Sequence, residues 1–362
     1  MKKIISVVGA RPNFMKVAPI HRAFGAYAES WEHHIVHTGQ HYDAAMSDAF
    51  FRDLDMPHPT WFLGVGSGSH AEQTARVMTG FEQVCLEARP DYVIVVGDVN
   101  STIACALVSV KLGIRTAHVE AGLRSFDRLM PEEINRIATD AIVDDLFVTE
   151  ESGLTHLKHD GVDANRIHFV GNTMIDSLLY ALPKSEKSTI HHDLGLERGR
   201  YALVTMHRPS NVDHPEQLRM IVDVLTTLAA DLPLVFPVHP RTRKNLQNLG
   251  IDVAPNVHMI DPVGYIDFLA LMRSANFTLT DSGGIQEETT ALGVPCITSR
   301  TTTERPVTVE IGTNILVEPT KSGILEAVAL IRSGDMRAGQ VPPLWDGHAA
   351  DRIAAVITAH YS

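Results

Sequence analysis

A chain of 362 residues exceeds the roughly 250–300 at which one hydrophobic core stops growing, so two domains are expected. Its 44% hydrophobic, 20% charged and 6% aromatic residues suit a soluble α/β enzyme and exclude a disordered or fibrous chain. The formal charge of −12, from 31 Lys and Arg against 43 Asp and Glu, excludes a general attraction to nucleic acid or to an anionic membrane, so an anionic ligand must be met by a local group of cations.

The apolar run 4–8 follows Lys2-Lys3 and ends in Gly-Ala-Arg-Pro, which is too short for a secretory core. No stretch approaches the roughly 20 apolar residues of a membrane span. Further short apolar runs at 35–37, 92–96, 116–119, 146–148 and 167–170 each lead through a turn into a stretch of helical period. Such alternation implies βαβ units and a parallel sheet. After the helix-like residues 173–182, the polar and charged residues 183–199 read as a linker. The alternation then restarts, with strands expected at 202–205, 234–238, 257–260, 277–280, 295–298 and 315–317. The expected fold is α/β: two Rossmann-like domains with parallel sheets, spanning 1–182 and 200–346. Residues 347–360 have helical spacing and are expected to pack back on the first domain. Cys85, Cys105 and Cys296 are odd in number and lack CxxC spacing, so reduced core thiols and a cytoplasmic location are expected.

Ligands of doubly wound sheets sit at the carboxyl ends of the strands. After the first strand, Arg11 and Lys16 enter a helix start that suits phosphate oxygens. Asp98 follows strand 92–96 and Glu120 follows strand 116–119, bringing two carboxylates to one sheet edge. Helix capping and a loop salt bridge are their plain structural uses. Pro131 starts a helix that sets Glu132 and Arg136 four residues apart on one face, the spacing of a surface ion pair. His207 ends strand 202–205. Strand 277–280 runs into Asp281-Ser282-Gly283-Gly284, where small residues admit a diphosphate to a helix N-terminus and a later carboxylate meets ribose hydroxyls. Arg305 supplies a further cation.

Other chemistries find less support. GxxxxGK[ST] is absent, and no GxGxxG follows the first strand. Tyr180 and Lys184 have YxxxK spacing, but Pro183 is expected to break the helix it needs. Asp53-Leu54-Asp55 ends a helix instead of a strand, and His33-His34 and His191-His192 lack partners at zinc spacing.

The segments GARPNFMKVAP, HTGQH, GDVNST, HVEAGLRS, MPEEINR, GNTMID, HRPSNVD, DSGGIQEE and TTERP, in that order, make the chain resemble the non-hydrolysing UDP-N-acetylglucosamine 2-epimerases over nearly its whole length. The resemblance implies a GT-B-type pair of domains facing across a cleft, a UDP-sugar substrate, a homodimer, and no NAD or metal requirement. Carried over by motif, contacts to UDP and sugar fall on Arg11, Lys16, His207, Ser282, Gly283, Gly284, Glu288 and Arg305, with Phe268 near the uracil. The catalytic set falls on Asp98, Glu120 and Glu132, with Arg136 beside them and His207. An activating second UDP-GlcNAc pocket would use Gln40 and His41. Three positions depart from the enterobacterial pattern: Asn13 replaces Glu, Pro209 replaces Arg, and Val263 replaces Gln.

The C2 hydrogen of UDP-N-acetylglucosamine is not alpha to a carbonyl, so the expected route eliminates UDP to 2-acetamidoglucal and adds it back. The alternatives are a 2-epimerase of a UDP-2,3-diacetamido-uronic acid, a hydrolysing epimerase, a GT-B glycosyltransferase and a nucleotide-sugar sensor.

Overall fold

The computed structural model describes residues 1–40 and 51–361, apart from the side chain of Arg11. The chain divides into two units, one of Met1–Tyr180 with Pro343–Ser362 and the other of Ala181–Pro342. In the first unit β1 (Lys2–Val8), β2 (Trp31–His37), β3 (Trp61–Phe62), β4 (Tyr92–Val96), β5 (Arg115–Ala121), β6 (Asp145–Val148) and β7 (Ile167–Phe169) form one parallel sheet in the order β3-β2-β1-β4-β5-β6-β7. The second unit repeats the winding with β8 (Ala202–Thr205), β9 (Leu234–Pro237), β10 (Val257–Ile260), β11 (Phe277–Thr280), β12 (Cys296–Ser299) and β13 (Asn314–Val317), ordered β10-β9-β8-β11-β12-β13. Both are parallel Rossmann-type sheets, as expected from the βαβ alternation. The strand order reverses between β1 and β4 in one unit and between β8 and β11 in the other, which is where such sheets open a crevice at their carboxyl ends.

Central strands are covered on both faces, which is why they read as unbroken apolar runs. All five residues of β4 are buried. On one face Val93 and Val95 join Val77, Phe81 and Val84 of the helix His70–Ala88 and Ala104, Cys105 and Val108 of the helix Asn100–Lys111. A buried side chain of this size contributes about 1.5–3 kcal/mol. The second unit builds an equivalent core from Val204, Phe236, Phe277, Leu279 and Ile297 against Ile221, Val224 and Leu225. All three thiols are free and buried, and burial pushes Cys85 up to about 12 and Cys296 up to about 11.

Two elements differ from expectation. Strand β3 is two residues long and pairs with the end of β2, too short to show any periodicity. The helix Thr173–Ser185 runs through Pro183. A proline in the last turn sacrifices one intrahelical bond, and the helix end is held by Ser185 Oγ, which donates to the Leu182 carbonyl at 2.7 Å. Residues 183–199 are bound into the second unit: Ser188 Oγ donates to Asp267 at 2.6 Å, and His191 Nε2 lies 2.9 Å from the Tyr201 hydroxyl.

The helix Ala349–Ala359 lies in the first unit and packs on the helix Arg11–Phe24. The carboxylate of Asp176 accepts the N–H groups of Ala349 and Ala350 at its start, while burial pushes that carboxyl up to about 6. Trp345 Nε1 donates to the Thr149 carbonyl at 2.9 Å. Among the described residues no helix is long and apolar enough to cross a membrane.

Candidate functional site

At the carboxyl edge of the first sheet, Lys16 of the helix Arg11–Phe24 forms a buried ion pair with Glu120 at the end of β5. Glu120 has a left-handed φ of 79° where the β5–β6 register shifts, a strained setting for a side chain with a Cβ. Gly97, after β4, also has positive φ, and a Cβ there would lie 2.9 Å from Lys16 Nζ, 3.3 Å from Asn13 Nδ2 and 3.5 Å from Glu120 Oε2. A side chain there would carry the strain of the positive φ and push the Lys16 ammonium aside. Asn13 braces the β1/β4 switch point: its Oδ1 accepts the N–H groups of Gly9 and Ala10 at 3.0 and 2.9 Å, and its Nδ2 donates to Val96 at 3.2 Å.

Asp98, next in the chain, is held by the guanidinium of Arg136. The i,i+3 neighbour Glu133, one position after Glu132, is the helix carboxylate that Arg136 holds. Arg136 binds Glu133 at 2.6 Å and Ser125 Oγ at 3.3 Å, because Glu133 turns inward to accept the N–H of Ser125 at 2.9 Å, its hydroxyl at 3.0 Å and the N–H of Phe126 at 3.0 Å. Burial alone would push the Glu133 carboxyl up; these donors and Arg136 bring it below its usual range. Glu132 instead lines a cavity of about 310 Å³ with Asp98, Gln40, Asn100 and Asn135. The structure therefore gathers Lys16, Asp98, Glu120, Glu132 and Arg136 at one sheet edge. The side chain of Arg11 and the whole of His41 lie outside the described residues.

Sequence reasoning missed Glu133 and also the fully buried His118 beneath this edge. His118 Nδ1 lies 2.6 Å from Asp140, its Nε2 lies 2.7 Å from the Gly97 carbonyl, and Arg124 shares Asp140 at 2.7 Å. The segment HVEAGLRS carried the histidine, but no local periodicity marks its distant partners.

In the second unit, His207 follows β8 and Asp281 follows β11, meeting at the switch point with Nδ1 and Oδ1 2.9 Å apart. Beside them begins the helix Gly283–Leu292, whose N-cap Ser282 makes no side-chain capping bond. Ser282, Gly283 and Gly284 are partly exposed there, so the helix N-terminus suits an anion. The space that a Gly283 Cβ would need is filled by Glu304 Oε1 at 2.7 Å and Arg305 Nη1 at 3.1 Å. Arg305 pairs with Glu304 at 2.6 Å and Glu287 at 2.9 Å, and Arg300 also holds Glu304, at 2.8 Å. Glu304 stays well below the carboxylate range despite burial, because Arg305 and Arg300 flank it. Glu288 is buried and accepts from the Tyr265 hydroxyl at 2.8 Å. Burial pushes its carboxyl up to about 7. Phe268 is partly buried on the helix Tyr265–Arg273.

Asp145, His168 and His360 form a candidate cation group among the described residues. They lie at the amino end of β6, away from the carboxyl edge, and Arg115 already grips Asp145 through Nε at 2.8 Å and Nη2 at 3.1 Å. A guanidinium in that position fits a metal ion poorly.

The family model described as UDP-N-acetylglucosamine 2-epimerase matches residues 26–358. The UDP-N-acetylglucosamine 2-epimerase of Methanocaldococcus jannaschii is 42% identical over 98% of this chain and 99% of its own. Its crystal structure with UDP-GlcNAc and UDP superimposes with a TM-score of 0.91, covering 99% of this chain and 100% of that one. The UDP-2,3-diacetamido-2,3-dideoxy-D-glucuronate 2-epimerase of Pseudomonas aeruginosa is 40% identical over 90% of this chain and 91% of its own. With its two parallel sheets, its charged groups at both switch points and this full-length likeness, the chain belongs to the UDP-N-acetylglucosamine 2-epimerase family.

Proposed function

We propose that the protein interconverts UDP-N-acetylglucosamine and UDP-N-acetylmannosamine by eliminating UDP and adding it back. In a chain of this family, the observation that carries the reading is the convergence of Asp98, Glu120 and Glu132 at one sheet edge. The C1–O bond breaks first, and UDP departs with the electron pair. Its diphosphate charge is met by the N-terminus of the helix Gly283–Leu292 and by Arg305, which act where the charge develops. The carboxylates stabilise the oxocarbenium character at C1, and one of them removes the C2 proton to leave 2-acetamidoglucal. Return of a proton to the opposite face of C2, with re-addition of UDP at C1, gives the epimer. No atom or electron is gained or lost overall.

Incubation with UDP-N-acetylglucosamine in D2O, followed by NMR, tests this. The expected result is deuterium at C2 and both UDP-sugars in the mixture. Free N-acetylmannosamine would show a hydrolysing enzyme, and full retention of the C2 hydrogen would overturn the mechanism.

A UDP-diacetamido-uronate is the second candidate substrate, because the Pseudomonas relative is named for one. UDP-N-acetylglucosamine is the first choice because the matching family model and the Methanocaldococcus relative are named for it. A higher kcat/KM for the uronate than for UDP-N-acetylglucosamine would reverse this choice.

A further inference from the structure

The carboxylate of Asp281 is fully buried at the β8/β11 switch point and is filled with donors. It accepts the main-chain N–H of His207 at 3.1 Å, that of Arg208 at 2.9 Å and Asn211 Nδ2 at 3.0 Å, while Oδ1 faces His207 Nδ1 at 2.9 Å. The guanidinium Nε of Arg208 binds the Asp281 carbonyl at 3.0 Å. Burial works to raise this carboxyl, but the bond to and charge of His207, with Asn211 and the Arg208 N–H, hold it below the usual range. An ionised carboxylate only accepts hydrogen bonds, so the nitrogen facing it must carry a hydrogen. The His207 side chain is about half exposed, at 49%, so the ring is fixed on one side and open on the other.

We propose that Asp281 is a positioning residue that locks His207 in the Nδ1–H tautomer, leaving Nε2 as the one ring nitrogen able to exchange a proton with, or hydrogen-bond to, a bound UDP-sugar. The proposal rests on the reading of His207 as a site residue. Asp281 itself touches no substrate. Its effect passes through the imidazole, as a buried carboxylate orients the histidine of a hydrolase triad.

The test uses the whole protein with 15N-labelled histidine. Long-range 1H–15N spectra of the wild type at pH 8, assigned with His207→Gln, should show the Nδ1–H form; an Nε2–H form would overturn the proposal without any variant of Asp281. In Asp281→Asn the amide oxygen still accepts the main-chain N–H groups, while its NH2 faces Nδ1 and should force the ring to Nε2–H. Turnover should fall about 10²–10⁴-fold, with KM changed less than about threefold. The double variant Asp281→Asn, His207→Gln should be no slower than His207→Gln alone, since a residue acting only through His207 has nothing left to act on. A further loss in the double variant would overturn the proposal. Full activity in His207→Gln would instead remove His207 from the proposed function, while the wild-type tautomer would still report the structural lock.

Discussion

Lys16 and Glu120 form an ion pair in which both side chains are buried, 6% and 7% exposed, and the pair closes over Gly97. Removing one partner of a buried ion pair typically costs about 3–5 kcal/mol, because the remaining buried charge loses that counter-charge. Lys16→Met and Glu120→Gln should each destabilise the protein by that order, and the double variant should recover most of the loss. Urea denaturation measures all three; single variants within about 1 kcal/mol of wild type would show that water reaches the pair.

Gly97→Ala tests the junction from the other side. Gly97 and Gly113 have nearly equal φ, +69° and +70°, but a Cβ at Gly113 meets nothing within 4 Å. Both substitutions carry the left-handed cost of about 1–2 kcal/mol. Gly97→Ala should in addition displace the ammonium of Lys16 and cut turnover at least tenfold, whereas Gly113→Ala should leave turnover unchanged. Equal turnover in the two variants would mean that the Lys16–Glu120 geometry does not matter to the reaction.

Asp98→Asn and Glu120→Gln should each lower turnover by about 10²-fold or more, the scale of a positioned acid or base. Glu133→Gln should also slow the reaction, through the Arg136 it shares with Asp98. UDP binding, measured by calorimetry, should survive in Asp98→Asn and Glu133→Gln, since the uncapped helix terminus and Arg305 belong to the other unit. Near wild-type turnover in both Asp98→Asn and Glu120→Gln would remove these carboxylates from the chemistry.

Most strands of both sheets were legible because a parallel strand covered on two faces is a short apolar run followed by a turn, as in 92–96 and 277–280. The charged positions at strand ends were legible for the same reason. Their partners were not. Glu132 and Glu133 are equally plausible neighbours of Arg136 on a helix, and the choice is made by N–H groups of Ser125 and Phe126 on a separate loop. Asp281 stands among small residues that suit a diphosphate, and nothing local shows that it faces His207, 74 positions away. Lys16 and Arg305 read as open cations, yet tertiary structure gives each a carboxylate.

Glu288 predicts a pH dependence of stability. Its carboxyl is raised to about 7 by burial, above the roughly 4.3 of an unfolded glutamate. Below about pH 4 the group is protonated in both states and costs nothing. Between these values the unfolded chain releases the proton while the folded chain keeps it, so stability falls as pH rises, and the full cost, at most about 4 kcal/mol, is present above pH 7. Glu288→Gln removes the ionisation. The variant should gain stability relative to wild type between pH 4 and pH 8 in denaturation curves; an unchanged difference would show that Glu288 is ionised throughout.

Activation by a second UDP-N-acetylglucosamine should be weak or absent. The resemblance places that pocket on Gln40, His41 and an arginine where this chain has Pro209. Pro209 starts the short helix Pro209–Val212 and offers neither charge nor N–H, and its neighbour Arg208 is turned to the Asp281 carbonyl. The amide oxygen of Gln40 is likewise engaged, accepting from the N–H of Ser101 at 3.0 Å and its hydroxyl at 2.7 Å. Losing one charge-assisted contact to a diphosphate costs about 1.5–3 kcal/mol, or very roughly ten- to a hundredfold in affinity. Initial rates starting from UDP-N-acetylmannosamine alone should therefore be linear. They should also be unaffected by trace UDP-N-acetylglucosamine; a lag abolished by the trace would show that other residues have rebuilt the second site.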